Sequence, residues 1–350
     1  MKAAFAKYTL DFINPAGTSR GTLLKKDTYF LKIWDEQSPG RYGLGECALF
    51  KGLSAEDGDR YEPKLRELCR NIAMGEETDL AEFSSIQFGL ETAILDFSRG
   101  CRRVCFDNDF VRGSYHIPIN GLVWMGTKDE MIARIDEKVA AGFGVIKLKI
   151  GAIDFSQELE MIGHIRRRYT DRDLTIRVDA NGGFTPENVM DRLGRLAEHN
   201  IHSIEQPIKA GQWEAMARVC RESPIPVALD EELIGITNPM MMMSLLRSLR
   251  PHYIILKPSL MGGFAGSTEW LKMAAQFGIG GWITSALESN IGLNAIAQWV
   301  TTLQVRIPQG LGTGALYSNN IASPLEQHAD YLCYNPTKKW QIPDFNWITE

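Results

Sequence analysis

The sequence has no run near the roughly 20 consecutive apolar residues that span a bilayer. The apolar stretch Met240–Leu246 is short and ends at Arg247, as expected of one buried helix. Met1 to Leu10 carry Lys2 and Lys7 and lack the apolar core of a secretory signal. No long basic run occurs, and the formal net charge is only −5, which argues against nucleic acid or an anionic membrane as partner. The six cysteines include no Cys-x-x-Cys pair. Cys101 and Cys105 have a spacing that suits a helix face, but no second pair completes a zinc site. Free thiols in a reducing, cytoplasmic setting are the expectation. The six histidines are scattered without a paired metal motif, and no Gly-x-Gly-x-x-Gly follows the first β-like run, which disfavours a dinucleotide fold.

What is present suits an enzyme-sized globular chain. Apolar residues make up 44% and charged residues 23% of 350 positions, enough length for a barrel of roughly 250 residues plus a smaller domain. The first hundred or so residues read as α+β. Strands are expected at 3–12 and 28–34 with Gly17–Gly21 between them, a turn at Gly40–Gly45, and helices from Ser54 to about Met74 and Glu77 to about Arg99. Gly100–Gly113 is charged and aperiodic, a boundary.

Beyond it, short β-rich runs alternate with amphipathic helical patterns. The runs are His116–Leu122, Val145–Ile150, Leu174–Ala180, Ile201–Pro207, Pro226–Glu231, Tyr253–Pro258, Gly281–Ala286 and Gln309–Gly312. One strand per 25 to 30 residues or so, each followed by a helix, predicts a parallel sheet, and eight of them predict closure into a barrel. The α/β fold expected is therefore a TIM-type barrel at 113–322 after a smaller α+β domain at 1–112. The tail 323–350, which has lost the rhythm, is expected to return to that domain.

Polar residues stand where the strands end. Lys147 and Lys149 alternate with apolar neighbours and share one face, as do Arg177, Asp179 and Asn181. The following strands end in Glu205, in Asp230-Glu231 and in Lys257. Each lies at the C-terminal end of its strand, where barrel enzymes keep their sites. Asp179, Glu205 and Asp230 come from consecutive strands; three converging carboxylates repel unless a cation lies among them. All-oxygen donors select a hard ion, Mg²⁺ first and Mn²⁺ second. The lysines flank that site on different staves, so a small carboxylate substrate would have an amine on each face. A lysine beside other cations has its pKa lowered and can act as a base; Lys149 is expected to be so placed. Coordination of the substrate carboxylate would stabilise the charge that develops when the neighbouring proton leaves.

This set, Lys147-x-Lys149, Asp179-x-Asn181, Glu205-Gln-Pro, Asp230-Glu231 and Lys257, resembles the enolase superfamily in its muconate-lactonizing subgroup, over nearly the whole chain. The resemblance implies a (β/α)7β barrel under a capping domain, with Gly43-Leu-Gly-Glu46 and Gly52-Leu-Ser54 in a capping loop. It implies Lys149 as the acid/base lysine assisted by Lys147, and Lys257 on the opposite face. Arg177, Ser285-Ala-Leu-Glu288-Ser289 and Gly312-Thr-Gly314 resemble the o-succinylbenzoate synthases within the subgroup, whose Mg²⁺-dependent dehydration is a step toward menaquinone. Ser285 and the backbone near Gly312 would then meet the succinyl tail. Dipeptide epimerases carry Asp-x-Asp where this chain reads Gly312-Thr-Gly314. N-succinylamino acid racemases share most of these cues and stand as the alternative, as do other epimerases and cycloisomerases of the subgroup. A Schiff-base aldolase would not need three carboxylates. The sequence says nothing of oligomeric state.

Overall fold

The computed structural model describes residues 1–18, 21–38, 40–56, 58–151, 153–303 and 307–349. Strands β1 (Lys2–Thr18) and β2 (Gly21–Trp34) form a long antiparallel hairpin, and β3 (Tyr42–Cys47) pairs along the other edge of β2. Both hairpin strands run further than the expected 3–12 and 28–34. The register slips between Asp11 and Ala16 and then resumes, so Ala16, Gly17 and Thr18 pair with Leu23, Thr22 and Gly21. A slip of this kind cannot be read from alternation alone.

Gly43 and Gly45 belong to strand β3, and not to a turn. Helix α1 spans Tyr61–Met74, and helix α2 (Ser84–Ser98) crosses the sheet at very short range. A Cβ on Gly43 would lie 2.1 Å from the Ala93 carbonyl oxygen, and one on Gly45 would lie 1.9 Å from that of Gly89. A Cβ on Gly89 would in turn lie 2.3 Å from Cys47 Sγ. These glycines are there for backbone approach. Both helices begin later than expected. Before α1 the chain makes a turn in which the Phe50 N–H donates to Ser54 Oγ, 2.9 Å, and the Ser54 N–H donates to the Phe50 carbonyl, 2.8 Å.

Among the described residues of Gly100–Gly113 there is no helix or strand, so Cys101 and Cys105 do not share a helix face. After the short β4 (Ile117–Pro118) the rhythm begins. It runs β5 (Gly121–Val123), α3 (Lys128–Ala140), β6 (Val145–Lys149), α4 (Phe155–Arg168), β7 (Thr175–Asp179), α5 (Val189–Ala197) and β8 (Ser203–Glu205). It continues α6 (Trp213–Glu222), β9 (Val227–Leu229), α7 (Pro239–Leu249), β10 (Tyr253–Leu256), α8 (Gly263–Gln276), β11 (Gly280–Ile283) and α9 (Asn290–Val300). Local chemistry sets many helix starts. Thr127 and Glu130 make a reciprocal capping box on α3, and Asp154, Asn238 and Ser289 cap α4, α7 and α9.

The seven strands β5–β11 pair in chain order, all parallel. The eighth stave is reduced to Gln309 and Gly310, which bridge in parallel to Ile119 on one side and Thr284 on the other. The ring thus closes as (β/α)7β. The tail departs from expectation in part. Strands β12 (Leu325–His328) and β13 (Tyr331–Tyr334) form a hairpin on β4, beside the start of the first stave. Already at residues 316–318 the chain touches β1, Tyr317 bridging Phe12, and after the hairpin it returns to the cap, where Phe345 packs on Phe30 and Tyr8 and Ile348 bridges Phe5. Among the described residues no helix is long and apolar enough to cross a membrane, and none of the six cysteines is in a disulfide.

Candidate active site

Strand alternation places every second residue of each stave toward the barrel axis. Two layers result. The lower holds Arg177, Ala228, Ile255 and Trp282, with Trp282 packed on Ala228 and Ile255 and the Arg177 guanidinium 4.3 Å from the Trp282 ring. The upper holds Lys149, Asp179 and Glu205, aligned as direct neighbours across β6, β7 and β8, with Asp230 and Lys257 just past the ends of β9 and β10. Above them lies a cavity of about 240 Å³ under the cap. Lys147, Lys149, Asn181, Glu205, Glu231, Lys257, Ser285 and Gly312 all line it; Asp179 and Asp230 lie buried beneath.

The charges are tightly paired. Lys147 Nζ lies 2.8 Å from Asp179 Oδ2 and 2.6 Å from Glu205 Oε2. Lys149 Nζ donates to Asp179 Oδ2 at 2.6 Å and to Asn181 Oδ1 at 2.7 Å. Asn181 passes the link on, its Nδ2 donating to Glu231 Oε1 at 2.8 Å. Lys257 is paired with Asp230. Burial raises the carboxyls, but at Asp179 the charges of Lys147 and Lys149 outweigh it and hold the group below its ordinary range. At Glu205 burial and the neighbouring Asp179 charge push the carboxyl well up. Burial alone would lower Lys147 and Lys257; the carboxylates around them reverse this and hold both above the ordinary lysine value. The surrounding carboxylates thus favour the ammonium form of both lysines.

Among the described residues no three His, Cys, Asp or Glu side chains are grouped as ligands of one ion, because each carboxylate is turned to its nearest ammonium. The donor set nevertheless fits a hard cation. Asp179, Glu205, Asp230 and Glu231 gather against Lys147, Lys149 and Lys257, with Arg177 also acting on Glu205 from below, and among the described residues Asp230 Oδ1 is buried with no hydrogen-bond partner. A buried carboxylate oxygen left bare is costly, and only a cation or donor removes the cost.

Arg177 lies a layer below the carboxylates and Lys149. It is buried in the lower layer, donates to the Pro308 carbonyl at 2.9 Å, and is lowered to about 10 by burial. The residues not anticipated from sequence are Asn120, Leu122, Thr284 and Trp282, with Leu23, Phe50 and Lys51 from the cap. Alternation was the available signal: Asn120, Leu122 and Trp124 share one parity, as do Trp282 and Thr284. The cap contributions had no such signal, since they depend on how two separate layers meet.

Residues 130–329 match the family model described as enolase C-terminal domain-like. Across 93% of its length the chain is 43% identical to o-succinylbenzoate synthase of Desulfotalea psychrophila (strain LSv54 / DSM 12343), of which it covers 96%. The chain belongs to the enolase superfamily. As a superfamily member it also matches the crystal structure of MenC from Desulfotalea psychrophila LSv54, with a TM-score of 0.85, 39% identity, and 95% and 99% of the two chains covered. The L-Ala-D/L-Glu epimerase of Bacillus subtilis (strain 168) is 23% identical over 85% of this chain and 83% of its own. A substrate-liganded structure of the epimerase from that species superposes with a TM-score of 0.80 at 18% identity, covering 95% and 96%, which is a likeness of fold.

Proposed function

We propose that this superfamily enzyme catalyses the o-succinylbenzoate synthase reaction, the Mg²⁺-dependent dehydration of 2-succinyl-6-hydroxy-2,4-cyclohexadiene-1-carboxylate to o-succinylbenzoate. The observation that carries the reading is the 43% identity over nearly the full length of both chains. The cavity supports it chemically, with cationic nitrogens on two separate staves and an apolar wall including Leu122, Trp124 and Leu287 for a ring. We assign residues 1–112 with 323–350 to the cap and 113–322 to the catalytic barrel.

Asp179, Glu205 and Asp230 would hold the ion, Mg²⁺ or in its place Mn²⁺. When bound, the ion supplies positive charge against the substrate carboxylate, where negative charge grows as the adjacent proton leaves. Lys149 Nζ takes that proton; the bond between Asn181 Oδ1 and Lys149 Nζ, 2.7 Å, aims the amine. The electron pair then moves into the ring, the C–O bond of the hydroxyl breaks, and the leaving oxygen takes the proton from the same Lys149 as water. Lys257, held cationic by Asp230, faces the other side as a fixed positive charge and exchanges no proton. Lys147 keeps Asp179 and Glu205 in place. Aromatisation drives the step.

The second reading is an N-succinylamino acid racemase, in which Lys149 and Lys257 would each act as a base. Incubation in D₂O with an N-succinylamino acid separates the two. The dehydratase exchanges little there while aromatising its own substrate rapidly. Rapid exchange of the α-proton of both enantiomers with no measurable dehydration would replace the proposed reaction by racemisation.

A further inference from the structure

A second buried charge cluster lies outside the catalytic set, where the cap meets the seventh stave. Lys26 on β2, Glu46 on β3 and Glu288 in the loop before α9 are all buried. Glu46 Oε2 accepts from Ser289 Oγ at 2.6 Å and the Gly292 N–H at 2.9 Å; its Oε1 accepts from Thr28 Oγ1 at 2.8 Å and the Ser289 N–H at 2.9 Å. A cap carboxylate thus grips the start of a barrel helix. Glu288 reaches two turns at once. Its Oε1 accepts from Ser259 Oγ at 2.6 Å and its Oε2 from Ser285 Oγ at 2.5 Å. Ser285 lines the cavity, and Ser259 stands two residues after Lys257 in the tight turn closed by the Leu260 N–H on the Lys257 carbonyl, 2.7 Å.

We propose that Glu288 is a positioning residue that fixes the Lys257 turn and cavity-lining Ser285 relative to each other, while Lys26 and Glu46 tie this assembly to the cap. Both oxygens of Glu288 accept, which a carboxylate does and an amide cannot. The Lys26 ammonium makes no hydrogen bond among the described residues, so its role is charge: it offsets Glu46 and Glu288, both otherwise buried anions. Burial lowers Lys26 and raises Glu288, and each pulls the other back toward its charged form. The seating of the cap on the barrel and the placement of Lys257 would then be coupled.

The kinetic part of the test rests on the proposed dehydration; the exchange part does not. Glu288→Gln leaves one serine hydroxyl without an acceptor. Backbone amide exchange should speed in the 257–260 and 285–289 turns and stay unchanged in β6 and β7. On the cyclohexadiene substrate, per folded molecule, kcat should fall at least about tenfold and KM should rise, since the lost bond is charge-assisted. Ser259→Ala should affect mainly kcat, Ser285→Ala mainly KM, and the Ser259→Ala/Ser285→Ala pair should reproduce Glu288→Gln even if that variant folds poorly. Wild-type protection of both turns in Glu288→Gln and in the serine pair would overturn the proposal whatever the substrate. So would a lowered melting temperature with kcat and KM per folded molecule unchanged. A wild-type protein that fails to dehydrate while its variants lose protection as described would overturn the reaction and leave the positioning role supported.

Discussion

At the scale of single residues, the proposed chemistry separates two lysines that the cavity presents together. Lys149 is asked to take one proton and return it. General acid–base catalysis commonly contributes 10²–10⁴-fold, so Lys149→Ala should lose nearly all turnover. Lys149→Arg should not restore it, because a guanidinium hardly deprotonates. Retention of more than about a tenth of the wild-type rate in Lys149→Ala would mean that another group is the base. Lys257 is asked only to stay charged. Lys257→Arg should keep measurable dehydration, lowered by bulk, while any side racemisation disappears; both are read with one preparation. Most of these residues were legible because their positions obey strand parity and their types are chemically improbable in an apolar stave. Arg177, expected as a substrate or supporting residue, obeys the same parity and lies one layer below the charge cluster. Parity gives the face of a strand and not the height along the barrel.

At the scale of elements, close packing decides what composition could not. The glycines of β3 read as a turn because glycine most often signals one; here they admit α2 to the sheet. Gly45→Ala should therefore destabilise the cap by overpacking, about 1–3 kcal/mol or more, measured as a lowered denaturant midpoint. Catalytic constants of the folded fraction should change little. A Gly45→Ala protein as stable as wild type would contradict the contact. On the far side of the barrel, burial lowers the pKa of His202, which stacks on Tyr253 at 5.6 Å, with Arg177 adding to the effect. The unfolded chain takes up this proton more readily than the folded one. The contribution is thus complete above about pH 6.5 and is lost as pH falls toward the lower folded value. His202→Phe keeps the stack without the proton, so its melting temperature should fall less than that of wild type between about pH 7.5 and 5.5. Equal falls would remove His202 from the acid sensitivity.

At the scale of the whole molecule, the eight-stave rhythm and the order of strand-end residues were written in the sequence, since each βα unit carries its own apolar pattern and its own punctuation. The eighth stave shrank to two bridging residues, and the tail closed the start of the barrel before returning to the cap. Those features arise where distant segments meet, as does the Lys26–Glu46–Glu288 cluster, and no local pattern encodes them. The central claim joins one fold to one reaction through a hard cation. It is tested most directly by following aromatisation of 2-succinyl-6-hydroxy-2,4-cyclohexadiene-1-carboxylate by the purified protein, before and after exhaustive chelation and after Mg²⁺ is restored. The expected result is rapid formation of o-succinylbenzoate that vanishes on chelation and returns with Mg²⁺. Asp179→Asn, Glu205→Gln and Asp230→Asn should each be folded, weak in metal binding and slow. Full activity after chelation would contradict the metal assignment, and no aromatisation under any metal condition would contradict the reaction itself.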